Sequence, residues 1–496
     1  MTAQMRRPAS EFSGLSVCVA GLGVSGPPAA LALAALGARV TAVDSRADEP
    51  RLELARELAD AGITVLLGDG QAGPAEVLPA GTDLVVTSPG WRPDAPLLAA
   101  AGAAGVPVIG DVELAWRLRP QLPGGTRQQW LAVTGTNGKT TTVRMLAAML
   151  AAAGHRSIAA GNVGTSVVTA VTEARPYEVI AVELSSFQLH WSSTLRPFAA
   201  VVLNVAAHHL DWHGDIGSYA RDKGRIYAPG AVAVYNADDP RSGELAAMAR
   251  EPAGVVAFRL GVPGAGELGV SGGYLVDRAF GGGGAGGGRS GGGGGGGEGV
   301  SLAAVSAVQP AAPHNVADAL AAAALARAYG AAPEAVAAGL AAFRPEPHRI
   351  SLVARVGEVD YVDDSKATNP HAAAASLAAY PSVVWVAGGL FRGADEDVDE
   401  LVSSAAPRLR AVVLLGADRA RIRGALARHA PDVPVVEAAG TDTGAMDLVV
   451  AAAARMAGPG DTVLLAPAAQ SFDMFRDYPA RGDAFAAAVR RLAGAS

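Results

Sequence analysis

The 496-residue chain is half hydrophobic and 18% charged, with 62 glycines and a single cysteine, a globular composition that excludes fibrous and disulfide-stapled classes. Its length suggests about three domains. A formal net charge of −7 gives no general attraction to nucleic acid, so any anionic ligand must be held by a local site. The basic opening, with Arg6 and Arg7, is followed only by the short apolar stretch Leu15–Ala20. No run of about 18 apolar residues free of Gly, Pro and charge occurs, so neither a signal peptide nor a membrane span is expected, and a cytoplasmic location is. Cys18 lies within that apolar stretch and reads as a buried bystander rather than a nucleophile.

Of the 40 basic residues only Lys139, Lys223 and Lys366 are lysines, the other 37 being arginines. Where drift toward arginine is tolerated, surviving lysines mark places that need a compact primary amine.

In chain order, strand Leu15–Ala20 leads into Gly21-Leu22-Gly23-Val24-Ser25-Gly26 and a helix opening at Pro27 and Pro28, where proline suits a first turn. Strand Arg39–Val43 ends at Asp44, about 20 residues beyond the turn, completing a dinucleotide-type fingerprint. Alone this turn fits an NAD(P) or FAD enzyme, a UDP-type diphosphate ligand or a tight structural turn, because its content is only backbone amides at a helix N-terminus. Helix and strand patterns alternate through Asp83–Thr87, a doubly wound unit of about 120 residues.

After the polar stretch 120–129, strand Trp130–Val133 leads into Thr134-Gly135-Thr136-Asn137-Gly138-Lys139-Thr140-Thr141 and a long helix. This is a P-loop in form, with Val133 where the strict pattern has its first glycine. Its amides and helix dipole cradle phosphate oxygens, Lys139 reaches the terminal phosphates, and Thr140 can hold Mg²⁺. A hydride-transfer enzyme has no use for a P-loop, so the oxidoreductase reading falls behind one in which the first unit binds a nucleotide-linked substrate.

Strand Val179–Val182 delivers Glu183 at its C-terminal end, and strand Ala199–Leu203 precedes Asn204 and the cluster His208-His209-Leu210-Asp211-Trp212-His213. A carboxylate and an imidazole at neighbouring strand ends are reasonable Mg²⁺ ligands, the bland alternative being a solvated loop. Lys223, from pattern alone, is a surface helix residue. The nearly all-glycine segment 281–297 reads as a surface insertion without function.

Helix Val316–Tyr329 precedes Pro345-Glu346-Pro347-His348-Arg349, and a third alternating unit carries the polar run Asp363-Asp364-Ser365-Lys366-Ala367-Thr368-Asn369-Pro370 after a strand. Strands around Val383–Val386, Ala411–Leu415 and Thr462–Leu465 follow, with Gly388–Gly393 and Ala466–Asp473 at strand ends. The expected fold is α/β with three domains in series: a Rossmann-like domain 1–124, a P-loop ATPase-like domain 125–346 and a Rossmann-like domain 347–496.

These segments, in this order and over nearly the whole chain, resemble the Mur ligase family, whose members phosphorylate a UDP-linked muramoyl precursor's carboxylate with ATP and then couple an amino acid. The 363–370 string, with Ser471-Phe472-Asp473 and Tyr478, is similar to the branch that adds D-glutamate. The resemblance implies small-molecule substrates UDP-N-acetylmuramoyl-L-alanine and D-glutamate, with ATP and two Mg²⁺ ions. It implies ATP contacts at Gly135, Thr136, Asn137, Gly138, Lys139, Thr140, Thr141, Asn315, Asp318, Arg349 and Asp364, with His348 beside Arg349. Metal contacts are implied at Thr140, Glu183, His209 and a carbamylated Lys223, and catalytic roles for Lys139, His209, Lys223 and Lys366. The UDP-substrate would meet Val24, Ser25, Asp44, Ser45, Arg46, Ser88, Pro89, Gly90 and Asn162, and D-glutamate would meet Thr368, Arg392, Ser471, Phe472 and Tyr478. The chain departs from the family at Ala207 and His208, where acidic residues are usual, at Asp318 in place of Asn, and at Arg392 in place of Lys. An arginine fork at 392 implies retained carboxylate binding with altered geometry.

Overall fold

The structure, a computed structural model, describes residues 11–68, 77–162, 164–281, 299–345, 347–391, 395–438 and 444–495. All of the expected insertion 281–297 except Gly281, and Arg392, lie outside them. The chain forms two compact units, Met1–Val308 with Val316–Phe343, and Gln309–Asn315 with Arg344–Ser496.

The first unit carries two sheets. Strands β1 (Ser16–Ala20), β2 (Arg39–Asp44), β3 (Thr64–Leu67), β4 (Leu84–Thr87) and β5 (Val108–Gly110) form a five-stranded sheet, ordered β3-β2-β1-β4-β5 and parallel throughout. The order reverses between β1 and β4, and the Gly21 turn leaves β1 there, the usual place for a ligand crevice in such sheets. Cys18 is buried in β1, and burial pushes its thiol up to about 12, so it is no nucleophile.

The second sheet has nine strands: β6 (Gln129–Thr134), β7 (Ser157–Gly161), β8 (Val179–Glu183), β9 (Ala199–Val202), β10 (Val232–Asn236), β11 (Gly254–Phe258), β12 (Glu267–Ser271), β13 (Tyr274–Asp277) and β14 (Val300–Ala304). Their order is β14-β13-β12-β11-β10-β9-β6-β8-β7, antiparallel only at β12-β13-β14. The inner strands are apolar except near their ends, because helices cover both faces. Helix Lys139–Ala152 packs so closely on helix Pro333–Ala342 that a Cβ at Gly339 would lie 2.5 Å from the Met149 backbone.

Helix Asp111–Leu118 joins the two sheets. Its Glu113, fully buried, accepts from the Ser193 amide (2.9 Å), the Thr194 amide (3.0 Å) and hydroxyl (2.5 Å), and Arg117 Nε (2.9 Å). Trp116 meets Trp130 edge-on at 5.3 Å, and the Arg119 guanidinium covers the Trp116 ring.

The second unit holds one six-stranded sheet, β15 (Ser351–Val356), β16 (Val359–Asp363), β17 (Val383–Gly388), β18 (Leu409–Leu415), β19 (Val435–Glu437) and β20 (Thr462–Leu465), ordered β15-β16-β20-β17-β18-β19. Only β15 runs antiparallel to its neighbour. Fully buried Trp385 donates through Nε1 to the Ala466 carbonyl at 2.8 Å, tying β17 to the loop after β20.

Replacing Glu113 by Gln leaves buried amide donors poorly matched and should cost about 1–3 kcal/mol, read by urea denaturation. Burial alone would raise the Glu113 pKa, but the bonds from Thr194, Ser193 and Arg117 together hold it below its ordinary value. Its contribution is therefore present above the unfolded-state pKa and disappears as the pH falls through the lower folded-state value.

Candidate active site

β6 ends at Thr134, the chain turns through Gly135–Gly138, and the next helix begins at Lys139. Gly138 caps that helix with φ 84°, a left-handed conformation that glycine adopts without strain. A Cβ there would come within 2.2 Å of an Asp318 carboxylate oxygen, so Asp318 lies directly against the loop. The Asn204 side chain clamps the turn from β9, accepting from the Asn137 amide at 2.9 Å and donating to its carbonyl at 3.2 Å. Thr136 Oγ1 donates to the Ala206 carbonyl, accepts from the Ala206 amide, and lies 3.1 Å from the Tyr219 hydroxyl. Lys139 Nζ turns back to donate to the Gly135 and Thr136 carbonyls, both at 2.9 Å, and Thr140 and Thr141 are buried behind it. Neither Asn204 nor Tyr219 is distinguishable by sequence from an ordinary loop or helix residue.

Glu183 is the last residue of β8, in register with Val133 of β6 and Gly161 of β7. The Asn162 amide donates to the Glu183 carbonyl at 3.0 Å, and Asn162 Nδ2 donates to Oε1 at 3.2 Å. Among the described residues, Glu183 Oε2 is buried with no hydrogen-bond partner. A buried, orphaned carboxylate oxygen beside a phosphate-type loop fits a hard cation such as Mg²⁺. Among the described residues no three His, Cys, Asp or Glu side chains are grouped to hold an ion unaided, so a cation here needs further oxygen ligands.

Lys223 corrects the pattern reading, which gave a surface helix residue: it is 1% exposed. Helix Ile216–Gly224 lays its Tyr219, Asp222 and Lys223 face inward, and Nζ donates to the Gly135 carbonyl at 2.9 Å. Burial, and then the charge of Lys139, drive the Lys223 pKa well below its ordinary value, with Glu183 opposing. His208 and His209 meet edge-on with ring centroids 3.8 Å apart, and His209 takes a left-handed φ of 55° as it caps the short helix Leu210–His213. Burial, chiefly, pushes them down to about 3 and about 4 respectively, leaving both imidazoles neutral near pH 7, the form that binds metals.

At the first sheet, the Asp44 carboxylate accepts from the Leu22 amide (2.8 Å) and the Arg46 amide (3.0 Å) and pairs with Arg51. Ser88 Oγ donates to the Gly21 carbonyl, Ser25 is buried, and Ser45, Gly90 and Val24 are exposed. Val24, Ser25, Asp44, Ser45, Arg46, Ser88, Pro89 and Gly90 thus gather at the ends of β1, β2 and β4. Asn162 lies beside Glu183. The sequence reading missed Trp91, whose Nε1 would lie 2.8 Å from a Gly21 Cβ, and Arg92, which donates to the Asp211 carbonyl at 2.6 Å.

In the second unit, His348 Nδ1 bonds Asp363 at 2.6 Å, which raises the imidazole pKa. Asp364 is buried and bonded by the Ser376 hydroxyl, and burial lifts its carboxyl to about 6. Arg349 acts electrostatically on Asp364 and on His314, while Asn315 donates to the Pro310 carbonyl. Lys366 Nζ lies 5.2 Å over the Tyr478 ring, Ser471 is buried, Phe472 is 64% exposed, and the Thr368 amide donates to the Lys366 carbonyl. Buried Arg481 binds these loops together, donating to Ser365 Oγ (2.9 Å), the Ser365 carbonyl (2.8 Å) and the Ala469 carbonyl (3.0 Å). Its only sequence signal is the Arg-Gly pair at 481–482.

Three family descriptions match the chain in order: "Mur ligase MurD-like, N-terminal domain" over residues 15–110, "Mur ligase middle domain" over 133–262, and "Mur ligase, glutamate ligase domain" over 348–469. The UDP-N-acetylmuramoylalanine–D-glutamate ligase of Thermobifida fusca is 60% identical over 98% of this chain and all of its own length. The enzyme of the same name from Streptomyces coelicolor is 58% identical over 97% of this chain and 99% of its own. In fold, the chain is similar to UDP-N-acetylmuramate-alanine ligase from Thermotoga maritima, with a TM-score of 0.53 at 19% identity over 97% of this chain and 100% of that one. It is also similar to a pseudomurein peptide ligase type C from Methanothermus fervidus, with a TM-score of 0.55 at 17% identity and the same coverage. The chain belongs to the Mur ligase family, and it is an ATP-dependent ligase built of three α/β domains in series.

Gly138→Ala combines a left-handed backbone with a clash against Asp318, so ATP binding measured by calorimetry should fall by at least about 10-fold. Far-UV circular dichroism should stay unchanged.

Proposed function

We propose that this chain joins D-glutamate to UDP-N-acetylmuramoyl-L-alanine at the expense of ATP, through an acyl phosphate, in cytoplasmic peptidoglycan precursor synthesis. The observation that carries the chemistry is the convergence, in one unit, of the phosphate loop, the orphaned Glu183 oxygen and the buried Lys223 amine, whose pKa burial drives well below its ordinary value. The choice of D-glutamate rests on relatives up to 60% identical along their full length and on the 363–370 loop. No described helix is long and apolar enough to cross a membrane.

In this reading residues 1–124 hold the UDP-substrate, 125–346 hold ATP and 347–496 hold the amino acid. Backbone amides of Gly135–Thr141 and Lys139 receive the ATP phosphates, with Asn315, Asp318, Arg349 and Asp364 as further nucleotide contacts. Thr140 and Glu183, with His209 and a carbamylated Lys223, provide sites for two Mg²⁺ ions. Mg²⁺, when bound, offsets the negative charge that gathers as the precursor's carboxylate meets the γ-phosphate. Carbamylation needs a neutral primary amine to attack CO₂, and burial shifts Lys223 toward that form. Nζ gains CO₂ and releases a proton, so the product is a carbamate anion extending from Nζ. Val24, Ser25, Asp44, Ser45, Arg46, Ser88, Pro89, Gly90 and Asn162 orient the UDP-substrate so that its carboxylate oxygen displaces ADP. Thr368, Arg392, Ser471, Phe472 and Tyr478 then hold D-glutamate, with Lys366 beside the reacting groups. The amine attacks the acyl carbon, phosphate departs with the P–O bond intact, and the amine's proton is lost to solvent or base.

Phosphate release from ATP with UDP-N-acetylmuramoyl-L-alanine should require D-glutamate and fail with L-glutamate, L-alanine or a diamino acid. Release with another amino acid would overturn the third-domain assignment, and release with none would overturn the acceptor. Lys223→Arg should lower kcat on the order of 100-fold. Removing bicarbonate and CO₂ should lower the activity of the unaltered enzyme reversibly.

A further inference from the structure

The segments bearing Glu183, His209 and Lys223 leave separate secondary-structure elements, and one side chain touches all three segments. His213, whose side chain is 1% exposed, ends the short helix Leu210–His213 that His209 caps. Its Nδ1 lies 3.1 Å from Asp222 Oδ2, on the residue before Lys223. Its Nε2 lies 3.0 Å from Ser186 Oγ, at the start of the helix that follows Glu183. A carboxylate only accepts, so Nδ1 carries the proton, and Nε2 of that tautomer accepts from the Ser186 hydroxyl. The ring also stacks on Phe187 at 5.4 Å with planes 4° apart, and Phe187 in turn meets His209 at 4.8 Å.

Asp222 is itself fixed from three sides. Its Oδ2 accepts from His190 Nδ1 at 3.0 Å as well as from His213, and Oδ1 pairs with Arg225 at 3.0 Å. A carboxylate with both oxygens engaged is a rigid anchor, so the imidazole has one orientation and its Nε2 one direction.

We propose that His213 is a positioning residue for the metal and phosphate site, holding the Glu183, His209 and Lys223 segments at fixed separations through its two ring nitrogens and its stacked face. It contacts no reacting atom. The proposal rests on the ligase reading above and adds to it the device that keeps the cation ligands in register. Three ligands on independent loops bind an ion well only if their spacing is set beforehand, and partners behind the ligands commonly account for 10–100-fold in metal affinity.

The test measures calorimetric binding of a nonhydrolysable ATP analogue with and without Mg²⁺, alongside kcat/KM, for the full chain and its variants. His213→Ala should weaken Mg²⁺-dependent binding about 10-fold, with metal-free binding and binding of UDP changed by less than about twofold. His213→Asn, whose amide can still donate to Asp222, should recover part of the loss. Ser186→Ala should lower kcat/KM in the parent and have no further effect in His213→Ala, because the two groups act through one bond. Ser186→Ala removes a single hydroxyl and carries the test should His213→Ala not fold. Equal weakening with and without Mg²⁺, or independent multiplication of the Ser186 and His213 effects, would overturn the proposal. Failure of the unaltered protein to bind the analogue at all would instead count against the ligase reading.

Discussion

Parallel strands hydrogen-bonded side by side lie about 4.8 Å apart and end together, and this spacing governs the central site. β6 sits between β8 and β9, so the phosphate loop leaving β6 has Glu183 at the end of one neighbour and Asn204 just past the other. The register that pairs Val133 with Glu183 and Glu183 with Gly161 sets the carboxylate's height relative to the loop. A one-residue slip in β8 would turn Glu183 to the opposite face of the sheet. No local feature of the loops could compensate for such a slip, because side chains on neighbouring strands have only a few ångströms of reach.

On that edge the structure removes positive charge and keeps a negative one available. Lys223, His208 and His209 are all pushed toward their neutral forms, mainly by burial, while Glu183 keeps an oxygen without a donor. Lys139, at the mouth of the loop, lies among carbonyls. Such a site is unfavourable for its own side chains and favourable for a divalent cation together with phosphate, which supply the missing charges. The largely buried network of Asp222, His213 and Ser186, with half-buried His190, lies behind it and carries hydrogen bonds of its own, so it can hold geometry without competing for the ligand.

The two remaining sheets present loops by the same rule and with different fastening. In the first, the Asp44 carboxylate uses its oxygens on the Leu22 and Arg46 amides and on Arg51, which shapes the glycine turn from behind. In the third, Arg481 donates to Ser365 and Ala469 and so joins the loop after β16 to the loop after β20. Both are buried charges whose partners fix backbone rather than bind solvent. Glu113 does the corresponding work between the first two sheets.

The sequence by itself determined the local elements and the chemistry they carry. Strand ends at Ala20, Thr87 and Leu465 and the start of the P-loop helix were legible because apolar runs, glycine turns and helix starts are local signals with fixed periods. The resemblance extended that reading to the family and to the residues around phosphate and substrate. Tertiary structure alone decided which of those residues are buried and what they touch. Lys223 reads as exposed because its helix is polar on most positions, and only the docking of that helix against the phosphate loop removes its amine from water. The sequence gives His213 no distinction from its neighbours in a histidine-rich loop, since its partners lie 9 and 27 residues away. Asn162 falls beside Glu183 because β7 and β8 are paired, a relation set by sheet order. Burial and long-range pairing depend on how elements pack, and single-residue patterns do not encode packing.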